Sequence, residues 1–108
     1  MVYVEFTMEV ARNKVQEALR CYQDKFLPWD KENVEKVGGK LIGYWYTEYG
    51  KTGEIIMMIA YPTLDAREKL LQALWQDEEL QKELADWFGY TPTATVRVLR
   101  PAPFSPLQ

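Results

Sequence analysis

The sequence predicts an α+β fold in which helices cover one face of a four-stranded antiparallel sheet. Three observations predict it. Val2, Val4, Phe6, Met8 and Val10 alternate with Tyr3, Glu5, Thr7 and Glu9, the period of two that marks a half-buried strand. Two segments, about residues 13–37 and 63–88, space their apolar residues at helical intervals. Between them, two β-prone runs flank the short turn Gly50-Lys51-Thr52-Gly53.

The first helix is expected to start at Asn13, with Gln16 in capping-box position. Its core side holds Val15, Ala18, Leu19, Tyr22, Phe26 and Trp29. Pro28 has no N–H for the carbonyl of Asp24, so a kink or restart is expected there. The helix resumes through Val34 and Val37, and Gly38 ends it. The second strand, about Lys40 to Tyr49, carries Tyr44, Trp45, Tyr46 and Tyr49. Simple alternation places Trp45 and Tyr49 on one face and Tyr44 and Tyr46 on the other. The return strand, Glu54 to Tyr61, is apolar on both faces and should lie inside the sheet.

Thr63 should cap the second helix, with Asp65 in its first turn and Ala66, Leu70, Leu71 and Leu74 buried. Asp77 should cap a continuation carrying Leu80, Leu84, Trp87 and Phe88, closed by Gly89. The last strand spans Thr93 to Arg100, and the Pro-rich tail 101–108 is extended. That tail is expected to clasp the sheet edge or cross to a partner, burying Phe104 and Leu107.

This β-α-β-β-α-β order over a single domain, residues 1–108, is the ferredoxin-like split unit. Its first strand lies between the third and fourth, and the aromatic second strand is an edge. The sheet face away from the helices would carry Tyr3, Thr7 and part of the aromatic set, an apolar surface large enough to want a cover. A homodimer with two sheets face to face, a dimeric α/β barrel, is the simplest cover.

Composition narrows the function. The net charge is −3, and the 13 basic residues are interleaved with 16 acidic ones, so no basic footprint for nucleic acid exists. No apolar run approaches the roughly 18 residues of a membrane span, and no signal peptide is visible at Met1-Val2-Tyr3-Val4-Glu5. One cysteine, Cys21, allows no intrachain disulfide, and a cytoplasmic setting is expected. Histidine is absent, which excludes Ser-His-Asp and Cys-His nucleophile pairs and histidine metal or haem ligands. The carboxylates lack metal-ligand spacing. Neither a metal nor a cofactor is expected.

The candidate site emerges from the sheet. Glu5 and Arg97 fall on neighbouring antiparallel strands, both facing away from the helices, so they are candidate cross-strand partners. They suit either a structural ion pair or a polar pair inside the barrel, with Glu5 as base and Arg97 as anion anchor. Tyr3 and Trp45 would join them in lining the lumen for a flat or apolar ligand, or would pack the dimer interface. Met57 and Met58 read as adaptable core. Arg67, early in the second helix, is placed against the helix dipole and is expected to pair with a carboxylate or the tail. Cys21 has no basic neighbour in sequence to activate it.

Gly38-Gly39-Lys40-Leu41-Ile42-Gly43-Tyr44-Trp45, with Thr47-Glu48 and Gly50, resembles the NIPSNAP family. So do Tyr61-Pro62-Thr63-Leu64-Asp65-Ala66-Arg67 and Leu99-Arg100-Pro101-Ala102-Pro103-Phe104-Ser105-Pro106. The family's first strand typically carries Arg-Thr-Tyr, where this chain has Phe6-Thr7-Met8, and Ile59-Ala60-Tyr61 stands where members often show Trp-x-Tyr. The resemblance implies a dimeric α/β barrel and little about activity, since the superfamily includes cofactor-free monooxygenases, haem-degrading enzymes and isomerases. The expectation is therefore a protein that binds a small apolar or aromatic metabolite in the barrel. Two alternatives stand beside it. One is a cofactor-independent monooxygenase or isomerase acting on an enolisable substrate; the other is a protein-interaction module with a packed barrel.

Overall fold

A computed structural model describes residues 1–108. The first strand, β1 (Val2–Glu9), pairs antiparallel with two others, which gives the sheet order β2–β3–β1–β4. Here β2 is Lys40–Tyr46, β3 is Glu54–Tyr61 and β4 is Thr93–Leu99. The apolar β3 is central and the aromatic β2 lies on an edge, as the sequence predicts. The helices α1 (Val15–Lys25), α2 (Leu27–Lys36), α3 (Leu64–Gln76) and α4 (Glu78–Tyr90) all lie on one face. The result is a two-layer slab of about 39 × 37 × 19 Å.

Local chemistry accounts for most boundaries. Pro28 sits in the first turn of α2, where its missing N–H costs nothing, and the chain restarts at Phe26 between the two helices. Gly38 ends α2 at φ +78°, in the left-handed region that a glycine enters without steric penalty. Thr63 accepts the Ala66 N–H at 3.2 Å and Asp77 accepts the Leu80 N–H at 2.9 Å, so α3 and α4 both start on side-chain caps.

Three expectations are corrected. Asn13 caps nothing. The Val10 N–H is tied to the Gly53 carbonyl at 2.7 Å, and the chain then winds as a tight 3-10 turn over Arg12–Lys14 before α1 begins at Val15. Gly89 lies inside α4, which ends when the Thr91 N–H and hydroxyl both donate to the Trp87 carbonyl and Pro92 stops the helix. The aromatic strand stops at Tyr46, leaving Tyr49 in the β2–β3 loop and 88% exposed.

A register shift between Leu41 and Gly43 decides where the aromatics point. The bulge at Ile42 reverses the alternation from Gly43 onward. Tyr44 therefore lies opposite Met57 on the helix side, while Trp45 lies opposite Ile56 on the open side. On that open side the Trp45 indole covers Gly43, where a Cβ would come within 2.6 Å of the ring.

The helix side of the sheet is packed in two groups. Val4, Val34, Ile59, Tyr61 and Leu70 form one. Met8, Ala18, Phe26, Ile55, Leu80 and Trp87 form the other. Phe6, Trp29 and Met57 touch both and are only partly buried. Between the two groups the layers do not close.

Candidate ligand-binding site

The gap between sheet and helices is a cavity of about 390 Å³. That volume is in the range of small-molecule sites. Its walls are mostly apolar: Phe6, Met57 and Ile59 from the sheet, Leu70 and Leu74 from α3, and Trp87 from α4. Trp75, Phe88 and Val96 stand at its rim and are exposed, because α3 and α4 leave the helix side of β4 uncovered. Asp30, Arg67, Tyr22, Tyr61 and Thr91 interrupt the apolar lining, the Thr91 hydroxyl being held by the Trp87 carbonyl.

Asp30 is placed by the helix break. Phe26, the one residue between α1 and α2, keeps helical dihedrals, and at this kink the Tyr22 hydroxyl donates to Asp30 Oδ2 two turns further on. That single proton is then committed, so Tyr44 donates to the Tyr22 oxygen, at 2.9 Å. The outcome is a directed chain, Tyr44 to Tyr22 to Asp30, running from the sheet edge into the cavity wall. Aromatic packing holds its middle member: the Tyr22 ring lies 5.0 Å from Tyr44 and 5.7 Å from Trp87, centroid to centroid. The neighbouring Trp29 Nε1 donates to Asp77 Oδ2 at 3.0 Å, which pins α2 to the α3–α4 junction.

Burial raises the Asp30 carboxyl to about 6, against the lowering influence of the Tyr22 hydrogen bond. The Tyr22 phenol is driven far above its ordinary value by burial and by the adjacent Asp30 charge. Burial takes Tyr44 to about 12. Tyr61 is also held at about 12, by burial first, with Arg67 pulling it down and Asp30 pushing it up. A carboxyl near 6 beside an apolar space can accept a hydrogen bond or a proton at neutral pH.

Arg67 reaches the same cavity from the first turns of α3. It forms no ion pair, so the expected carboxylate or tail partner is absent. Asp30 likewise forms no ion pair, and no buried side-chain polar atom in the chain lacks a hydrogen-bond partner. The unbonded Asp30 oxygen and the Arg67 guanidinium are thus accessible from the open space.

The residues singled out from the sequence lie elsewhere, on the open face of the sheet. Glu5 and Arg97 are direct cross-strand partners. Arg97 donates from Nε at 3.1 Å and from Nη2 at 2.6 Å, both to Glu5 Oε1. The Glu5 side chain is 16% exposed and that of Arg97 61%. Tyr3 is buried with its hydroxyl on the Gln108 carbonyl at 3.0 Å, so the tail folds over its own sheet. In the single chain Phe104 is 90% exposed and Leu107 56%. Trp45 is half-exposed over Gly43. Glu5 and Arg97 meet; Tyr3 and Trp45 share their face but do not contact the helix-side cavity.

A second, larger depression between α1 and α4 is an open groove in which charged side chains such as Lys14, Glu17, Arg20 and Asp24 alternate with small and polar ones. Lys25 there is paired with Glu83 at 2.8 Å and Asp86 at 3.2 Å. Cys21 lies in it with its thiol pushed up by burial, so it is not activated. No three metal-ligating side chains come together, and no helix is long and apolar enough to cross a membrane.

The NIPSNAP family model matches residues 3–106. A NIPSNAP family protein of unknown function from Agrobacterium tumefaciens is 25% identical, with all of this chain and 94% of that chain covered and a TM-score of 0.86. Another NIPSNAP family protein from the same organism is 26% identical over 99% of this chain and 98% of that one, at a TM-score of 0.84. An antibiotic biosynthesis monooxygenase shares the fold at a TM-score of 0.65, with 12% identity over 95% of this chain and all of that one. None of the curated proteins matches this chain.

Proposed function

The chain belongs to the NIPSNAP family, and we propose that it binds a small, largely apolar or aromatic metabolite between its sheet and its helices. The single observation that carries this is the apolar cavity of about 390 Å³ with Asp30 and Arg67 on its lining and without ion-pair partners. The exposed apolar rim at Trp75, Phe88 and Val96 leaves this space open to a ligand from solvent. The test is ligand-observed NMR with a panel of small aromatic compounds, run on the parent protein and on Leu74→Trp, which fills the cavity. Binding lost in the variant is expected. A panel that binds neither protein, or binds both alike, ends this reading.

The working unit is a homodimer, closed across the open sheet face. Trp45, Met58 and the Glu5–Arg97 pair would then be enclosed, with Tyr3 at one end of the shared surface. That lumen is the second place for a ligand. Glu5 and Arg97 hydrogen-bond only to each other, which suits binding there better than catalysis. Native mass spectrometry weighs the assembly, and a monomer at micromolar concentration would contradict the dimer. A cytoplasmic setting fits the lone free Cys21.

A catalytic reading has one observation in its favour, the Asp30 carboxyl held at about 6 beside the cavity. In a cofactor-free isomerase or monooxygenase Asp30 would take the proton next to a carbonyl and Arg67 would stabilise the enolate. An Asp30→Asn variant that binds a substrate but does not turn it over would separate this from simple binding.

A further inference from the structure

The cavity carries two charges of opposite sign and gives neither an ion-pair partner. Arg67 stands in the early turns of α3, where the helix end is already electropositive. A cation gains nothing from that position, forms no ion pair there, and adds to a local field that favours an anion. Asp30 comes from α2, with one oxygen held by Tyr22 and the other without a partner. The two do not pair with each other, so they are separate points on the cavity wall with Tyr61 responding to both. Phe6, Met57, Leu70 and Leu74 share the lining with them.

A molecule that satisfies both charges has a defined shape. It needs one anionic end, an apolar body, and a hydrogen-bond donor away from the anion. We propose that the cavity takes a small apolar carboxylic acid with a hydroxyl or amino donor at its far end, its carboxylate on Arg67 and its donor on Asp30. This rests on the reading of the cavity as a binding site. A planar carboxylate suits the guanidinium fork, which offers two parallel N–H donors. Phosphorylated ligands are poorly served: a second phosphate charge would meet no further cation on the lining, and Asp30 would repel it. A neutral hydrocarbon would fill the space but leave both charges desolvated and unpaired, which is costly.

The experiment is isothermal titration at pH 7.5 with three probes: 3-(4-hydroxyphenyl)propionate, its neutral amide, and 3-phenylpropionate. The hydroxy acid is expected to bind about tenfold or more tighter than the amide, as one charge-assisted hydrogen bond implies. Arg67→Gln should erase that preference, and Arg67→Lys should restore part of it. Asp30→Ala should remove the advantage of the hydroxy acid over 3-phenylpropionate, and Asp30→Asn, whose amide oxygen still accepts, should only reduce it. An amide that binds as well as the acid, or a preference that survives Arg67→Gln, overturns this assignment and leaves the cavity as a neutral apolar site. If no probe binds the parent protein, the assignment and the binding reading fall together.

Discussion

The Tyr22 hydroxyl donates to the Asp30 carboxylate across the break between α1 and α2, joining residues eight positions apart on two different helices. The bond bridges the kink at Phe26 between the two helices. It also leaves a carboxyl beside an apolar space. Stability and site chemistry are therefore coupled through one residue.

That coupling makes stability depend on pH with a definite sign. The Asp30 carboxyl sits at about 6 in the fold, above the 3.8 of an unperturbed aspartate. The folded state thus holds the proton more tightly than the open chain. The contribution is fully present below 3.8 and is lost as pH rises to 6. The Asp30→Asn variant should match its parent near pH 3.5 and exceed it by about 1–3 kcal/mol at pH 8. Urea denaturation at the two pH values checks it, and equal stability at both would contradict it.

Tyr22→Phe removes the one hydrogen bond that lowers the Asp30 carboxyl. Its midpoint should move up from about 6, as read by carbon-detected NMR titration of the carboxyl. A midpoint that falls would show that the phenol does not donate to Asp30.

Asp77 serves two elements, accepting from Leu80 N–H at the start of α4 and from Trp29 Nε1 on α2. Thr63 caps only α3. Thr63→Ala should cost about 1 kcal/mol. Asp77→Ala should cost about 2 kcal/mol or more, because the Trp29 N–H also loses its partner. Chemical denaturation that ranks the two variants in the opposite order would contradict the bridging role.

Gly43 lies under the Trp45 ring, and an added Cβ would meet its six-membered ring at 2.6–2.7 Å. Gly43→Ala should displace the indole and cost about 1–3 kcal/mol. In a background with Trp29, Trp75 and Trp87 replaced by Phe, the Trp45 emission should shift to longer wavelength. Unchanged emission would mean that the ring does not rest on Gly43.

The sequence shows the sheet clearly and the site poorly, for physical reasons. The strict alternation of Val2 to Val10 and the doubly apolar Glu54–Tyr61 run carry strand position in their periods, and Thr63 and Asp77 carry their caps. Topology alone pairs Glu5 with Arg97, and the two are indeed opposite each other. Asp30 gives no signal in the sequence, since it opens the charged stretch Asp30-Lys31-Glu32 and becomes special only through its hydrogen bond from Tyr22 across the kink at Phe26. Tyr44 takes its face from alternation, which the bulge at Ile42 resets. Arg67 does leave a trace, as a cation at the wrong end of a helix, and that misfit is the feature by which the sequence points towards the cavity.

Adjacent methionines on β3 provide the most direct test of where a ligand sits. Met57 lines the cavity on the helix side, whereas Met58 is opposite Glu5 on the open face. In protein labelled at the methionine methyl carbons, titration with 3-(4-hydroxyphenyl)propionate should shift the Met57 signal and leave Met58 in place. A Met58 shift with Met57 unmoved would contradict the account and place the ligand on the other side of the sheet.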